Sequence, residues 1–276
     1  WRWTPEAGVR PIAQRTGKLS REGRVSSNGR FVCILTAARA ETGVVDGGEL
    51  WSVARGVKIA ELGRIYGEPA TMFSADGKHL LTHGPSAQAD DKVSGNEVRV
   101  FALDKAPILR VFRTDEQIGR CAITADGSLV AASLVDGNIL LLRPDARGLV
   151  LADTIEHDVI VDGLIFSADK RILSAQSRGN ILIWRVDTGK LAGPILSPDF
   201  RLQIVRLSHD GTLVAAIGKS ALRIWDTRSG EPVTPKLTVP GSILDAAFRA
   251  DDSRFSVVLT TTVVYSWDLS PVRLPV

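Results

Sequence analysis

Four histidines, a recurring aspartate and six tryptophans are the residue types here with the most to offer a reaction, and their spacing decides what each can do. A zinc centre needs three or four converging ligands. His79 and His83 stand four apart, but they flank a strand end and not a helix face. His157 reads as a structural hydrogen-bonding residue and His209 as an exposed turn residue. Asp126, Asp169, Asp210 and Asp251 would be candidates for paired acid–base carboxylates, yet each starts the same turn in a different repeat. An aspartate before glycine is turn chemistry, since its side chain bonds the backbone and the glycine takes a positive φ. The glycine-rich "VDGGE" (Val45 to Glu49) lacks the Lys-Ser/Thr and the following helix of a phosphate cradle. No nucleophile stands in a strained elbow, so no Ser-His-Asp or Cys-His set can be argued. Cys33 and Cys121 lie in different repeats and support neither a metal cluster nor a disulfide framework. The expectation is a chain without catalytic residues, metal or cofactor, in a reducing, cytoplasmic setting.

Composition bounds the remaining classes. The chain has 276 residues, 44% hydrophobic and 24% charged, as in ordinary globular domains. Lys and Arg number 34 against 31 Asp and Glu, a net charge of +3 without any long block of one sign. Nucleic acid and anionic lipid are therefore not expected partners. No run of about 18 apolar residues offers a membrane span. The chain begins at Trp1 without a signal-peptide pattern, and reads as cut from something longer, so covalent linkage to further domains is expected.

The elements that position these residues are repeated. One turn recurs as Ser27-Asn28-Gly29, Ala75-Asp76-Gly77, Ala125-Asp126-Gly127, Ala168-Asp169-Lys170, His209-Asp210-Gly211 and Ala250-Asp251-Asp252, its third residues 48, 50, 43, 41 and 41 positions apart. A second anchor follows each turn, at Trp51, Phe101, Leu142, Trp184, Trp225 and Trp267, in steps of 50, 41, 42, 41 and 42. Within the fourth copy, "DGLIFS", "RILSA", "NILIW" and "LAGPIL" are short apolar runs separated by turns, which is a strand and hairpin grammar. A four-stranded sheet of about 40 residues cannot bury both faces alone, whereas radial stacking of copies does so. The reading is all-β: a β-propeller of six four-stranded antiparallel blades in one domain, 1–276, with units starting near 17, 65, 115, 158, 199 and 240.

"RIWDTRSG" (Arg223 to Gly230) and "YSWDLS" (Tyr265 to Ser270) resemble the signature of the WD-repeat family, and "HDVIVDGLIFSADK" resembles that family's approach to a first strand, with His157 nine residues before Phe166. The resemblance covers essentially the whole sequence. It implies that Trp225-Asp226 and Trp267-Asp268 end third strands, and that Trp3, Trp51 and Trp184 hold the same structural position, packing between blades. The family's His–Ser/Thr–Trp–Asp tetrad is incomplete in every copy: copy four has His157 and Trp184 but Arg178 in place of the acid, and copy three has only Asp136. The turns "DTGKLAGPIL" and "TRSGEPVTPKL" look most like bacterial members, which implies a scaffold or sensor within a larger bacterial signalling protein. The alternative is an enzyme or small-ligand propeller that uses the central funnel. Its mouth would carry Thr16, Arg64, Thr114, His157, Pro198 and Val239, a mixed set without a carboxylate cluster.

Trp3 and Gly8 repeat the spacing of Trp225 and Gly230, so residues 1–3 read as the end of a third strand and 8–14 as a fourth. The last copy stops at Trp267-Asp268 without a fourth strand. The expectation is ring closure, with residues 1–16 supplying the missing strand. Two adjacent copies carry insertions between their second and third strands, "AARAETGVVDGG" (Ala37 to Gly48) and "HGPSAQADDKVSGN" (His83 to Asn96). Insertions at one turn of neighbouring repeats project from one face, often the binding face. They nominate Arg39, Glu41, Asp46, His83, Asp90, Asp91 and Lys92 as a composite docking site for a protein partner.

Overall fold

A computed structural model describes residues 2–4, 8–10, 20–36, 44–45, 47–63, 65–66, 71–85, 96–103, 107–146 and 148–270; of 2–4, 8–10, 20–22, 36, 44–45, 66 and 71 it describes the backbone alone. The protein divides into two compact units, one of 1–135 with 140–152 and one of 136–139 with 153–276. Among the described residues there is no helix, and six antiparallel sheets of three or four strands follow one another in sequence. The architecture is all-β and propeller-like.

The first three sheets have four strands each: Ser20–Val25, Phe31–Thr36, Gly47–Ser52 and Val57–Glu61; Thr71–Phe73, His79–Pro85, Asn96–Ala102 and Ile108–Thr114; Ile118–Ile123, Val130–Leu134, Ile139–Pro144 and Leu149–Ile155. The fifth sheet also has four: Ile204–Leu207, Leu213–Ile217, Ala221–Asp226 and Leu237–Thr238. The fourth (Gly163–Phe166, Ile172–Ser177, Asn180–Arg185) and the sixth (Ile243–Phe248, Arg254–Leu259, Val264–Asp268) have three. This corrects the expectation of four strands in every copy. The "LAGPIL" segment touches its neighbour only through isolated bridges, Trp184 to Leu191 and Ile181 to Leu196. Pro194 lacks an N–H for a ladder. Gly193 lies so close to the next sheet's turn that a Cβ would sit 2.5 Å from the Thr227 carbonyl oxygen.

Second strands of the second to fifth sheets are buried on both faces, which is why they read as largely apolar runs and not as alternation. In Leu213–Ile217 every residue is buried. Leu213, Ala215 and Ile217 pack with Phe255, Val257 and Leu259 of the sixth sheet. Val214 and Ala216 pack with Ile181 and Ile183 of the fourth. In the other unit, Phe31, Cys33 and Leu35 pack with Leu80 and Phe101, joining the first and second sheets, while Val98 and Val100 pack with Val130 and Ala132, joining the second and third.

Successive sheets are also tied at the repeated turn. Ser26, Ser74, Thr124, Ser167 and Ser208 each accept the N–H five residues on and donate to the Asn or Asp two residues on. Within each unit, neighbouring turns are then bonded to one another. The Ser27 hydroxyl donates to the Ala75 carbonyl at 2.7 Å, Asp76 N to Ala125 O at 3.1 Å, and Asp169 N to His209 O at 3.3 Å. The Asp252 carboxylate accepts His209 N at 2.6 Å and Asp210 N at 3.2 Å.

The pairing expected for closure is not among the described strand pairs. Gly8–Arg10 pairs antiparallel with Arg2–Thr4 as a two-stranded sheet, residues 11–16 lie outside the described residues, and the sixth sheet ends at Val264–Asp268.

Candidate functional site

The repeated aromatic position has one register throughout. Trp51 faces Val32, Phe101 faces Leu80, Trp184 faces Leu173, Trp225 faces Val214 and Trp267 faces Phe255. Trp184 and Trp225 are buried, and Trp225 packs among Ile181, Ile183 and Val214. Trp51 and Trp267 are half-buried; the Trp51 indole N–H donates to Glu49 at 3.1 Å, and Trp267 stacks on Tyr265. Trp3 lies in Arg2–Thr4, where the backbone alone is described.

Asp226 and Asp268 cap the turns that follow them. Asp226 accepts the N–H groups of Arg228 at 3.0 Å and Ser229 at 2.7 Å, and Asp268 accepts Ser270 N at 2.9 Å. Partial burial works to raise the Asp226 carboxyl, but the Ser229 and Arg228 donors outweigh it and hold it below the ordinary aspartate range. Ser270 does the same for Asp268. Both stay anionic, as turn caps do. The His157 ring meets the edge of Trp184 with centroids 5.4 Å apart. Its backbone N–H is held by the Asn138 side chain, which in turn donates to Asp136. Desolvation lowers the His157 pKa against the opposing pull of Asp158. Arg178, in place of the acid, is exposed, has φ 49°, and donates its N–H to Asp162.

Of the seven residues nominated for docking, Arg39, Glu41, Asp46, Asp90, Asp91 and Lys92 lie outside the described residues. His83 is described, and not in a loop. The strand runs on through Gly84 and Pro85, with His83 opposite Val98 and Pro85 opposite Asn96, so the insertion between strands spans 86–95. His79 begins the same strand. His83 is 3% exposed, and burial, reinforced by the Arg120 and Arg99 guanidinium groups, pushes its pKa down to about 4. It is a neutral strand residue. The other insertion spans 37–46, and within it Val44–Val45 pairs with Ile65–Tyr66, the segment leading into the second sheet.

Sequence reasoning missed the charged cluster at the root of the second insertion. Glu97 and Arg99 are each 4% exposed. Glu97 accepts Arg99 Nε at 2.7 Å through one oxygen and Arg113 Nε at 2.9 Å through the other. Arg99 Nη2 also donates to the carbonyl of Pro85, the last described residue before the insertion. Asn96 Nδ2 donates across to Glu116 O at 2.9 Å. The alternation in "NEVRV" (Asn96 to Val100) signals one polar and one apolar face. What it cannot signal is that the polar face is covered: Arg99 Cζ lies 3.8 Å from where a Cβ on Gly63 would stand. Glu97 and Arg99 are buried while the Arg113 side chain is largely exposed, and a buried ion pair of this kind is weak evidence for stability.

Among the funnel-mouth positions, Thr16 and Arg64 lie outside the described residues, Thr114 ends its strand, and Val239 is buried. No helix among the described residues is long and apolar enough to cross a membrane.

No family model matches the sequence. Apoptotic protease-activating factor 1 of Mus musculus is 22% identical over 240 residues, 75% of this chain and 19% of that protein. The Rattus norvegicus protein of the same name is 22% identical over 255 residues, 80% of this chain and 20% of its own length. The chain thus spans about a fifth of the length of the curated relatives it matches. Those relatives carry WD40 repeats, and the distant likeness agrees with the repeated sheets of this all-β protein.

Proposed function

We propose that this chain is a non-catalytic protein-interaction propeller of six blades, displayed within a larger cytoplasmic signalling protein. The observation that carries the reading is the pair of insertions, 37–46 and 86–95, at the same turn of the first two sheets. Ser27 and Asn28 tie those sheets together at the opposite ends of their strands, so the roots of the two insertions stand side by side on a rigid base. Arg39, Glu41 and Asp46 on one and Asp90, Asp91 and Lys92 on the other supply a mixed-charge surface suited to a folded protein partner. Membership of a longer protein is supported by the relatives, of which the chain matches a fifth. The bacterial placement rests on the two turn sequences alone, the relatives being mammalian.

Trimming both insertions to four-residue turns in the full-length protein should leave folding intact and abolish partner capture; undiminished capture overturns the docking site. Ring closure is part of the proposal. A strand has two hydrogen-bonding edges, so Gly8–Arg10 can pair with Arg2–Thr4 on one edge and complete the sixth sheet on the other. Deleting residues 1–16 should then lower the Tm by several degrees, and an unchanged Tm overturns closure.

A further inference from the structure

Asn28 stands where the other five copies place Asp76, Asp126, Asp169, Asp210 and Asp251. Its Oδ1 does what those carboxylates do, accepting the Ser26 hydroxyl at 2.8 Å and Arg30 N at 3.0 Å. Its Nδ2 does what no carboxylate can. It donates to the Gly77 carbonyl at 2.9 Å and, more weakly, to the Asp76 carbonyl at 3.3 Å, both in the next sheet's turn. With the Ser27 hydroxyl on Ala75 O, these bonds latch the first sheet to the second. Between the second and third, fourth and fifth, and fifth and sixth turns the bonds come from backbone N–H groups, so the side chain there needs no donor.

Asn28 is followed by Gly29, both exposed, and a Cβ added at Gly29 would meet nothing within 4 Å. An unhindered glycine after asparagine is the arrangement most open to intramolecular attack. The Gly29 nitrogen bonds to Asn28 Cγ, the side-chain amide leaves as ammonia carrying the Gly29 proton, and a succinimide forms. Water then opens the ring, breaking either the Cγ–N bond to give aspartate or the backbone C–N bond to give isoaspartate. No redox partner is needed. One contact holds the reaction back: Gly29 N donates to Ser26 O at 2.8 Å, which keeps the nucleophile in the turn. Attack therefore requires the turn to open.

We propose that Asn28-Gly29 is a deamidation site whose conversion breaks the latch between the first two sheets. The product places a carboxylate against two carbonyl oxygens, so a junction that has opened and reacted does not close again. The site would record opening of the sheets that root the two insertions.

The test uses the intact protein in mildly alkaline buffer, with trypsin releasing residues 25–30 for mass analysis. The expected result is a slow amide-to-acid mass increase in that peptide, several-fold faster in Ser27→Ala, which lacks one latch bond. Failure of the peptide to convert in Ser27→Ala, while the isolated peptide does convert, overturns the modification. The latch is tested separately with Asn28→Asp. Relative to the parent at the same pH, hydrogen exchange at Ser26, Gly29 and Phe31 should be several-fold faster at neutral pH, and that ratio should shrink as pH falls through the ordinary aspartate range at about 4, where the protonated acid regains a donor. A variant as protected as the parent at neutral pH, or one without recovery in acid, overturns the latch. Failure of the modification leaves partner docking untouched, whereas failure of the latch removes the rigid base argued for it but not the insertions, which the trimming experiment tests separately.

Discussion

The first three sheets and the last three solve the same packing problem with different outer parts. In the first three, the outer strands run five, seven and seven residues, Val57–Glu61, Ile108–Thr114 and Leu149–Ile155. In the last three, the outer position holds two isolated bridges, a two-residue strand at Leu237–Thr238, and no described strand after Val264–Asp268. The insertions and the buried Glu97–Arg99 pair, with Arg113 beside it, belong to the first group. The second group keeps the 41-residue step and the Trp anchors, with Trp at all three copies against one of three in the first. It also holds all four described non-glycine residues with positive φ, Lys170, Arg178, Asp252 and Thr262. The constant part is the paired second and third strands, which in the second to fifth sheets carry most of the buried residues. Variation collects where only one edge is committed.

The largest expected effect tests whether the Trp anchor substitutes for outer-strand pairing in the last three sheets. Trp225→Ala removes a buried ring from the interface of the fourth and fifth sheets and should cost about 4 kcal/mol in urea unfolding. Phe101→Leu, at the same position of a sheet with a full outer strand, should cost less than half of that. Equal losses would dissolve the contrast.

The next test addresses the buried pair. Glu97→Gln leaves Arg99 buried without its counter-charge and should cost about 3 kcal/mol. Replacing Glu97 and Arg99 together by Leu and Met should recover most of it, since the ions need each other more than the fold needs them. A double variant as unstable as the single one would give the pair a stabilising role after all.

A pH series separates the halves again. The folded-state pKa of His83 is lowered from 6.5 to about 4, so the unfolded state binds the proton more tightly. Its contribution is complete above 6.5, is lost as pH falls from 6.5 toward 4, and is flat below that. The loss should be about 2 kcal/mol, below the ceiling that the shift implies. His157 is lowered for the same reason and acts with the same sign, but it is half-buried and Asp158 opposes the shift, so His157→Phe should flatten the acid slope less than His83→Phe. The reverse ranking would mean that the cluster around His83 opens in acid before it titrates.

These contrasts also mark what was legible in the sequence. The turn and the aromatic anchor were readable because each rests on a local rule, an Asn or Asp at all six turns and a ring at five of the six anchor positions, repeated along the chain. Ser26, Ser74, Thr124, Ser167 and Ser208 were visible too, two residues before each Asn or Asp, and went unread because Ser alone carries little pattern. His83 was misplaced because Gly84-Pro85 reads as a breaker, whereas proline, which has no N–H to give a ladder, is tolerated at the end of a strand. The outer strands and the covered face of Glu97 and Arg99 depend on what lies across the interface, which no local rule contains.

The smallest effect is a matched pair at the turn's third position, where four copies have Gly and two do not. Gly29, Gly77, Gly127 and Gly211 take φ of 67–71°, and Lys170 and Asp252 are held at 66° and 55°. An L-residue pays about 1–2 kcal/mol there. Asp252 offsets that cost: it is 3% exposed and its carboxylate accepts two N–H groups of the neighbouring turn. The Lys170 side chain is exposed, and an ammonium, being a donor only, cannot accept an N–H group as that carboxylate does. Asp252→Gly should therefore destabilise by about 1–2 kcal/mol, because the lost charge-assisted bonds outweigh the relieved backbone. Lys170→Gly should stabilise by about 0.5–1 kcal/mol, relief of φ exceeding the entropy that glycine adds to the unfolded state. Both are read by urea unfolding of the whole protein. Opposite signs at equivalent positions would show that the last sheets replaced glycine for a reason at one turn and by tolerance at the other; equal signs would remove that distinction.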